Sequence, residues 1–292
     1  MKKITSILVF ILGVALVQVP QMQAQTATGQ TTTVPSAPGA SEKKVTVAIA
    51  DLNGKLKKAA MKKVPGAELI DATNNVTAQS YEVGWKKGNL GGRLTFNEIR
   101  EGKYQFVRNA TEVAEKEISM VIPANVTNLL ASIIPKAKTY VWISREFADG
   151  RIEYQTDFTL EDKAFFFKYD VLREDRNIVI TSKTGSIVEY IDDAAFTKLL
   201  NLPSPNVVAT ATDKINNYIK SQNYEVSRTL FAINAQLPER ESSKKSSTKQ
   251  GKMEMEVTAD LKVKDTEKGK RLLFGCKQVN SDKISERAIE VK

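Results

Sequence analysis

The side chains that most often carry catalysis are scarce in this 292-residue chain. Histidine is absent, which removes Ser-His-Asp and Cys-His nucleophilic pairs and every histidine-ligated zinc or haem site. Cys276 is the single cysteine, so neither a thiolate cluster nor an internal disulfide can form. Its place beside Gly275 and Lys277, in a predicted strand with Leu272 and Phe274, fits a small core residue. Serine with a lysine base needs no imidazole. Ser41-Glu42-Lys43-Lys44 has the Ser-x-x-Lys spacing, and Lys183-Thr184-Gly185 has the form of the third penicillin-binding signature. Position tells against both: the serine falls in a low-complexity leader, no Ser-Asp-Asn lies between them, and Lys183-Thr184-Gly185 reads more simply as a hairpin turn.

Carboxylates and aromatics remain. Asp149, Glu153, Asp157, Glu161 and Asp162 are close in sequence, but a calcium loop needs Asp-x-Asp-x-Asp-Gly and only Asp149-Gly150 matches. The solvent face of a hairpin accounts for them. No Gly-x-Gly-x-x-Gly or Walker loop occurs, and Gly88 to Gly92 lacks the lysine and following helix of a phosphate loop. The expected complement of catalytic residues, metals and cofactors is therefore none. For recognition, Tyr140 and Trp142 fall on one face of a predicted strand, while Phe165, Phe166 and Phe167 are consecutive and must point both ways. One sheet face is core. Tyr140, Trp142 and Phe166 are the candidate binding residues of the other, since exposed Trp and Tyr are typical interface anchors.

Address and composition bound the setting. Lys2 and Lys3 precede an apolar run from Ile4 to Val19, broken by Pro20, with Ala24 as a small residue for cleavage. Residues 1–24 read as an export signal. Crossing a membrane takes about 20 apolar residues, so no integral span is expected after cleavage. No cysteine stands near that site for lipidation, which favours a free periplasmic or secreted bacterial protein. With one cysteine the core must hold without disulfides, and chains of this size bury around 70% or more of their unfolded surface. The formal net charge of +9 falls to +7 with Lys2 and Lys3 removed. Acidic residues are interspersed almost everywhere, and Lys57, Lys58, Lys62 and Lys63 share one predicted helix. Solvated faces, not a nucleic-acid groove, explain the excess.

Residues 25–43 carry almost no large apolar side chain and form a flexible leader. After it, one amphipathic helix followed by several short strands recurs three times, over 44–110, 111–200 and 201–292. In the middle copy Val126, Leu129, Leu130, Ile133 and Ile134 make a helical stripe between Pro123 and Pro135. Strands follow over 140–147, 152–158, 165–171 and 178–181, the last continuing into Ile187 to Ile191, with turns at Asp149-Gly150 and Glu161-Asp162. In the first copy Asp51 caps a helix that Pro65 ends, and turns fall at Gly88 and at Gly91-Gly92. Glu112 to Met120 is left unassigned, and Asp192 to Leu200 is a short extra helix. In the last copy Met253, Met255, Val257, Ala259, Leu261 and Val263 alternate with polar residues, after a Ser/Lys loop over 239–252. The expected fold is α+β: tandem units of one amphipathic helix packed on an about four-stranded antiparallel sheet.

Ile122-Pro123-Ala124-Asn125-Val126 opening the middle helix, Ile134-Pro135-Lys136-Ala137-Lys138 closing it, Asp149-Gly150, Tyr154 and Thr184-Gly185-Ser186-Ile187 are the features through which the chain resembles the PepSY-like superfamily of exported bacterial proteins. Its small units are similar to the halves of beta-lactamase inhibitory protein. Lys63-Val64-Pro65-Gly66-Ala67-Glu68 with Tyr81-Glu82-Val83 repeats part of this. In the third copy Tyr224-Glu225-Val226 recurs and the Pro-x-Ala element is missing. The resemblance implies a non-enzymatic module that binds or inhibits proteins, and it transfers no catalytic residue. The expected function is an exported binding or inhibitory protein of the cell envelope, recognising a protein or another envelope macromolecule through sheet faces. The alternative is an exported hydrolase using carboxylates or a Ser-Lys pair.

Overall fold

The structure, a computed structural model, describes residues 43–173, 175–183, 186–238, 250–262, 270–278 and 283–290. The expected export signal, the expected leader up to residue 42, the Ser41-Glu42 pair, Thr184-Gly185 and residues 239–249 of the Ser/Lys loop lie outside the described residues.

Strand β1 (Lys44–Val47) is followed by a 3-10 turn (Ile49–Asp51) and helix α1 (Gly54–Lys63), then by β2 (Glu68–Asn75), β3 (Ser80–Lys87), β4 (Leu90–Arg100) and β5 (Lys103–Ala114). A 3-10 turn (Glu115–Glu117), α2 (Ile118–Val121) and α3 (Ala124–Ile133) lead into β6 (Lys138–Phe147), β7 (Ile152–Leu160), β8 (Lys163–Leu172) and β9 (Asp175–Ser182). Then come α4 (Asp193–Leu199), α5 (Val207–Ser221), β10 (Glu225–Leu237), β11 (Lys252–Lys262), β12 (Lys270–Gln278) and β13 (Lys283–Glu290).

The local signals operate as their chemistry dictates. Asn53 accepts the Lys55 amide at 2.9 Å and starts α1; Asp51, the expected cap, instead closes the preceding 3-10 turn. Pro123 stands at the entry of α3, and the helix ends at Ile133 because Pro135 has no N–H to continue it. Val126, Leu130 and Ile133 are buried on its stripe, each contributing roughly 1.5–3 kcal/mol. Glu161 and Asp162 both take positive φ in the turn between β7 and β8, as a tight two-residue hairpin turn demands.

The sheet corrects the expected fold class. Among the described residues all strands belong to one sheet of 13 strands in chain order, each antiparallel to the next. Tandem four-stranded units would break after β5 and after β9. Instead β5 pairs with β6 from Arg108↔Phe147 to Ala114↔Val141, and β9 pairs with β10 from Arg176↔Leu237 to Thr181↔Ala232. The strands run on past the expected ends, β5 to Ala114 and β10 to Leu237, and so offer backbone partners to the next stretch. The predicted strand over Ile187 to Ile191 is a turn. Its Ile187 and Ile191 are buried beside α3, where the Asp192 amide donates to the Ile133 carbonyl at 3.0 Å.

Register assigns the faces. Val113, Trp142, Thr156 and Phe167 are strand neighbours on one face, and the row continues through Ile180, Ile233, Met255 and Cys276. Every member is buried. The five helices among the described residues all put side chains against this face: α1 through Leu56 and Ala60, the others into the cluster that holds Trp142 and Phe167. The opposite face carries the polar residues of the alternation.

Candidate functional site

Across β2 to β6, the residues opposite the helices form a second row by strict pairing: Asp71, Gly84, Arg93, Ala110 and Arg145. It continues through Glu153, Asp170 and Asn177 on β7 to β9. Charges and gaps alternate along it. Arg93 reaches over Gly84 to Asp71 with two bonds, Nη1 to Oδ1 at 2.8 Å and Nη2 to Oδ2 at 3.2 Å. Gly84 allows this, because a Cβ there would stand 2.7 Å from Asp71 Oδ1. On the other side Arg145 Nη1 donates to Glu153 Oε1 at 2.9 Å.

Glu153 lies directly opposite Asp170, a like-charge pair that would repel if left alone. Lys168 resolves it, its Nζ 3.7 Å from Glu153 and 3.5 Å from Asp170. Asn177 also donates to Asp170 at 3.0 Å. Glu153 and Asp170 are only 8% and 9% exposed, so these cations hold partly desolvated charge, where pairing counts for more than at an open surface.

A depression of about 430 Å³ on this face runs from Asp71 and Gly84 past Gly91 and Ala110 to Arg145, with both arginines in its lining. Ala110 is the strand partner of both Arg93 and Arg145, so two strand spacings, about 10 Å, separate their backbones. Each guanidinium is drawn outward by its own carboxylate, leaving only a methyl group between them. Ile70, Leu90 and Ile143 give the lining an apolar component, and Lys86 and Glu112 belong to it too.

The three aromatic candidates fall in different places. Trp142 is 1% exposed and packs edge-on against Phe167, with ring centroids 5.9 Å apart; it belongs to the core. Tyr140 is 58% exposed, and its hydroxyl lies 3.3 Å from Thr159 Oγ1. The two part company because β6 carries a register shift between Thr139 and Trp142, setting Tyr140 and Val141 outside the regular alternation. Phe166 is half-buried and, paired with Asp157 and Thr181, projects to the face opposite the helices.

The clustered carboxylates disperse. Glu153 and Asp157 lie on that face, Asp157 bonded to Lys183 at 2.7 Å, whereas Asp149, Glu161 and Asp162 sit in turns. No group of three or more metal-ligating side chains stands together among the described residues. Cys276 is buried in β12. The shifted titrating groups move away from neutrality, where acid-base catalysis would need them. Burial, with the Glu98 carboxylate, pushes Tyr104 up to about 12 and raises Tyr81; burial raises Tyr154. Lys163 is raised by its bond to Tyr190, and Lys277 by Glu254.

Sequence reading missed Arg93, Arg145 and the gap between them. The signal was the turn at Gly88-Asn89: closing β3 onto β4 at Lys87↔Leu90 sets Gly84 opposite Arg93. Placing a further turn at Gly91-Gly92 hides that register.

Comparison of the chain with protein families, with curated proteins and with solved structures finds no match in any of the three. Among the described residues no helix is long and apolar enough to cross a membrane.

Proposed function

We propose that the protein is an exported, non-enzymatic binding protein of the bacterial cell envelope, periplasmic or secreted, that holds a protein partner on the sheet face opposite its helices. The observation that carries this reading is the asymmetry of the sheet. Among the described residues all five helices pack on one face, and the other presents a groove, an ordered row of ion pairs and the side chains of Tyr140 and Phe166. Measured along the sheet, 13 strands at about 4.8 Å spacing span roughly 58 Å. A typical specific interface takes about 800 Å² from each partner, so the face is large enough. The resemblance to PepSY-like proteins over 122–191 and the export signal read in 1–24 point the same way, to a binding module outside the cytoplasm.

The test is affinity capture from the native envelope by the tagged protein, with bound proteins identified by mass spectrometry. It is run in parallel with a variant carrying Tyr140→Ala and Phe166→Ala. If these are anchors, the double variant keeps its melting temperature and loses a specific partner, each anchor carrying about 2 kcal/mol of binding. Capture unchanged by the two substitutions would refute the reading. So would turnover of a peptide, ester or glycoside substrate that a single carboxylate substitution abolishes.

A further inference from the structure

We propose that the depression over Ala110 is a carboxylate-binding subsite, which takes an acidic side chain of the protein partner between Arg93 and Arg145. This rests on the reading of the helix-opposed face as the partner's surface and adds the chemistry of one contact.

Three features lead to it. The first is donor capacity. A guanidinium has five N–H donors in a fixed fork. Arg93 spends two on Asp71 and Arg145 one on Glu153, so both retain donors, and both are held in place by the bonds already made.

The second is charge balance. Lys86, Arg93 and Arg145 line the depression together with Asp71 and Glu112. The excess is a single positive charge. One carboxylate neutralises it, whereas a phosphate dianion or a polyanion would overshoot and meet two resident carboxylates at close range.

The third is shape. Ala110 puts only a methyl group between the arginines, and the gap opens into the depression of about 430 Å³. The Ile70, Leu90 and Ile143 walls accept the methylene stem of an acidic side chain and an apolar neighbour. The ligand is thus a glutamate or aspartate flanked by apolar residues, not a free inorganic anion.

The test uses the full chain and three probes: the tripeptide acetyl-Leu-Glu-Leu-amide, its Gln counterpart and inorganic phosphate. Binding is followed by the NMR signals of the Ala110 amide and the Arg93 and Arg145 Nε–H groups. The Glu peptide is expected to shift all three signals and to bind about tenfold or more tightly than the Gln peptide, the effect of one charge-assisted hydrogen bond. Phosphate at equal concentration leaves that complex intact. Arg145→Gln abolishes the preference for Glu, and so does Ala110→Leu, which fills the gap while leaving every charge in place.

Equal binding of the two peptides, displacement by phosphate, or an unchanged preference in Ala110→Leu would each overturn the subsite. Should the preference be missing while Tyr140→Ala with Phe166→Ala still loses the captured partner, only the subsite falls. Should that capture be insensitive as well, the face itself is excluded.

Discussion

Gly92 sits where β4 is crowded by both a neighbouring backbone and a side chain. A Cβ at this position would stand 2.2 Å from the Ala110 carbonyl oxygen and 2.9 Å from the Trp85 indole, whereas a Cβ at Gly88 would meet nothing within 4 Å. The two glycines therefore do different work: Gly88 supplies a φ of +60° for the β3–β4 turn, and Gly92 lets Trp85 lie across β4 and donate from Nε1 to Asn109 Oδ1 at 2.9 Å. Gly88→Ala is expected to cost about 1–2 kcal/mol, the penalty of a left-handed non-glycine residue. Gly92→Ala is expected to cost about 3 kcal/mol as overpacking against backbone and to shift the Trp85 fluorescence. Urea unfolding of the two variants checks this, and equal costs would show that β4 yields at Gly92. The same pair marks a limit of sequence reading. Glycine signals a turn or a close approach alike, so Gly91-Gly92 reads as a turn although both residues lie in β4.

At the scale of elements, hairpin geometry carried the legible part. A two-residue turn at Glu161-Asp162 fixes Glu153 opposite Asp170 and Phe165 opposite Phe158, and the alternation of Met253 to Ala259 sets a buried face of β11 as expected. The α1, α3, α4 and α5 regions were legible from their apolar stripes. Bulges were not, because one extra residue flips the face of everything beyond it and leaves no mark in composition. The shift in β6 is such a case: period two puts Tyr140 with Trp142, and the observed register separates them. β1 was also missed, since four residues with an almost wholly exposed pattern carry no periodic signal. The register makes a prediction about β6. Trp142→Ala should cost about 3–5 kcal/mol, as for other large core truncations. Trp142→Phe should cost clearly less, because Trp142 Nε1 is buried without a hydrogen-bond partner among the described residues and its loss removes a desolvated donor. Thermal unfolding decides, and a mild effect of the alanine would return Trp142 to the surface.

For the whole molecule, a threefold order in the chain becomes a twofold order in space. Among the described residues a helix precedes four strands three times over, yet the buried side chains form two clusters. A small one spans Leu52 to Phe96 and a large one runs from Val113 to Cys276. The segment from Ile187 to Leu200 explains the fusion of the second and third stretches. It places Ile187, Ile191, Phe196 and Leu200 in the large cluster, its Asp193 carboxylate accepts the Val208 amide of α5 at 3.1 Å, and the Leu200 carbonyl accepts the Gly251 amide at 2.9 Å. The sheet runs through both clusters, but local stability follows buried apolar contact more than backbone ladders, which are common to every strand. Native-state hydrogen exchange should therefore find two levels. The amides of Val83 and Leu94 are expected to open at lower free energy than those of Phe167 and Ile180. Leu56→Ala, which removes a fully buried side chain of α1 and should cost about 2–5 kcal/mol, would accelerate exchange in β2 to β4 while leaving β8 and β9 protected. A uniform loss of protection across all these strands would instead mean that the ladder between β5 and β6 couples the two cores into one cooperative unit, and a partner bound over Ala110, on β5, would then stabilise the entire sheet and not its first five strands alone.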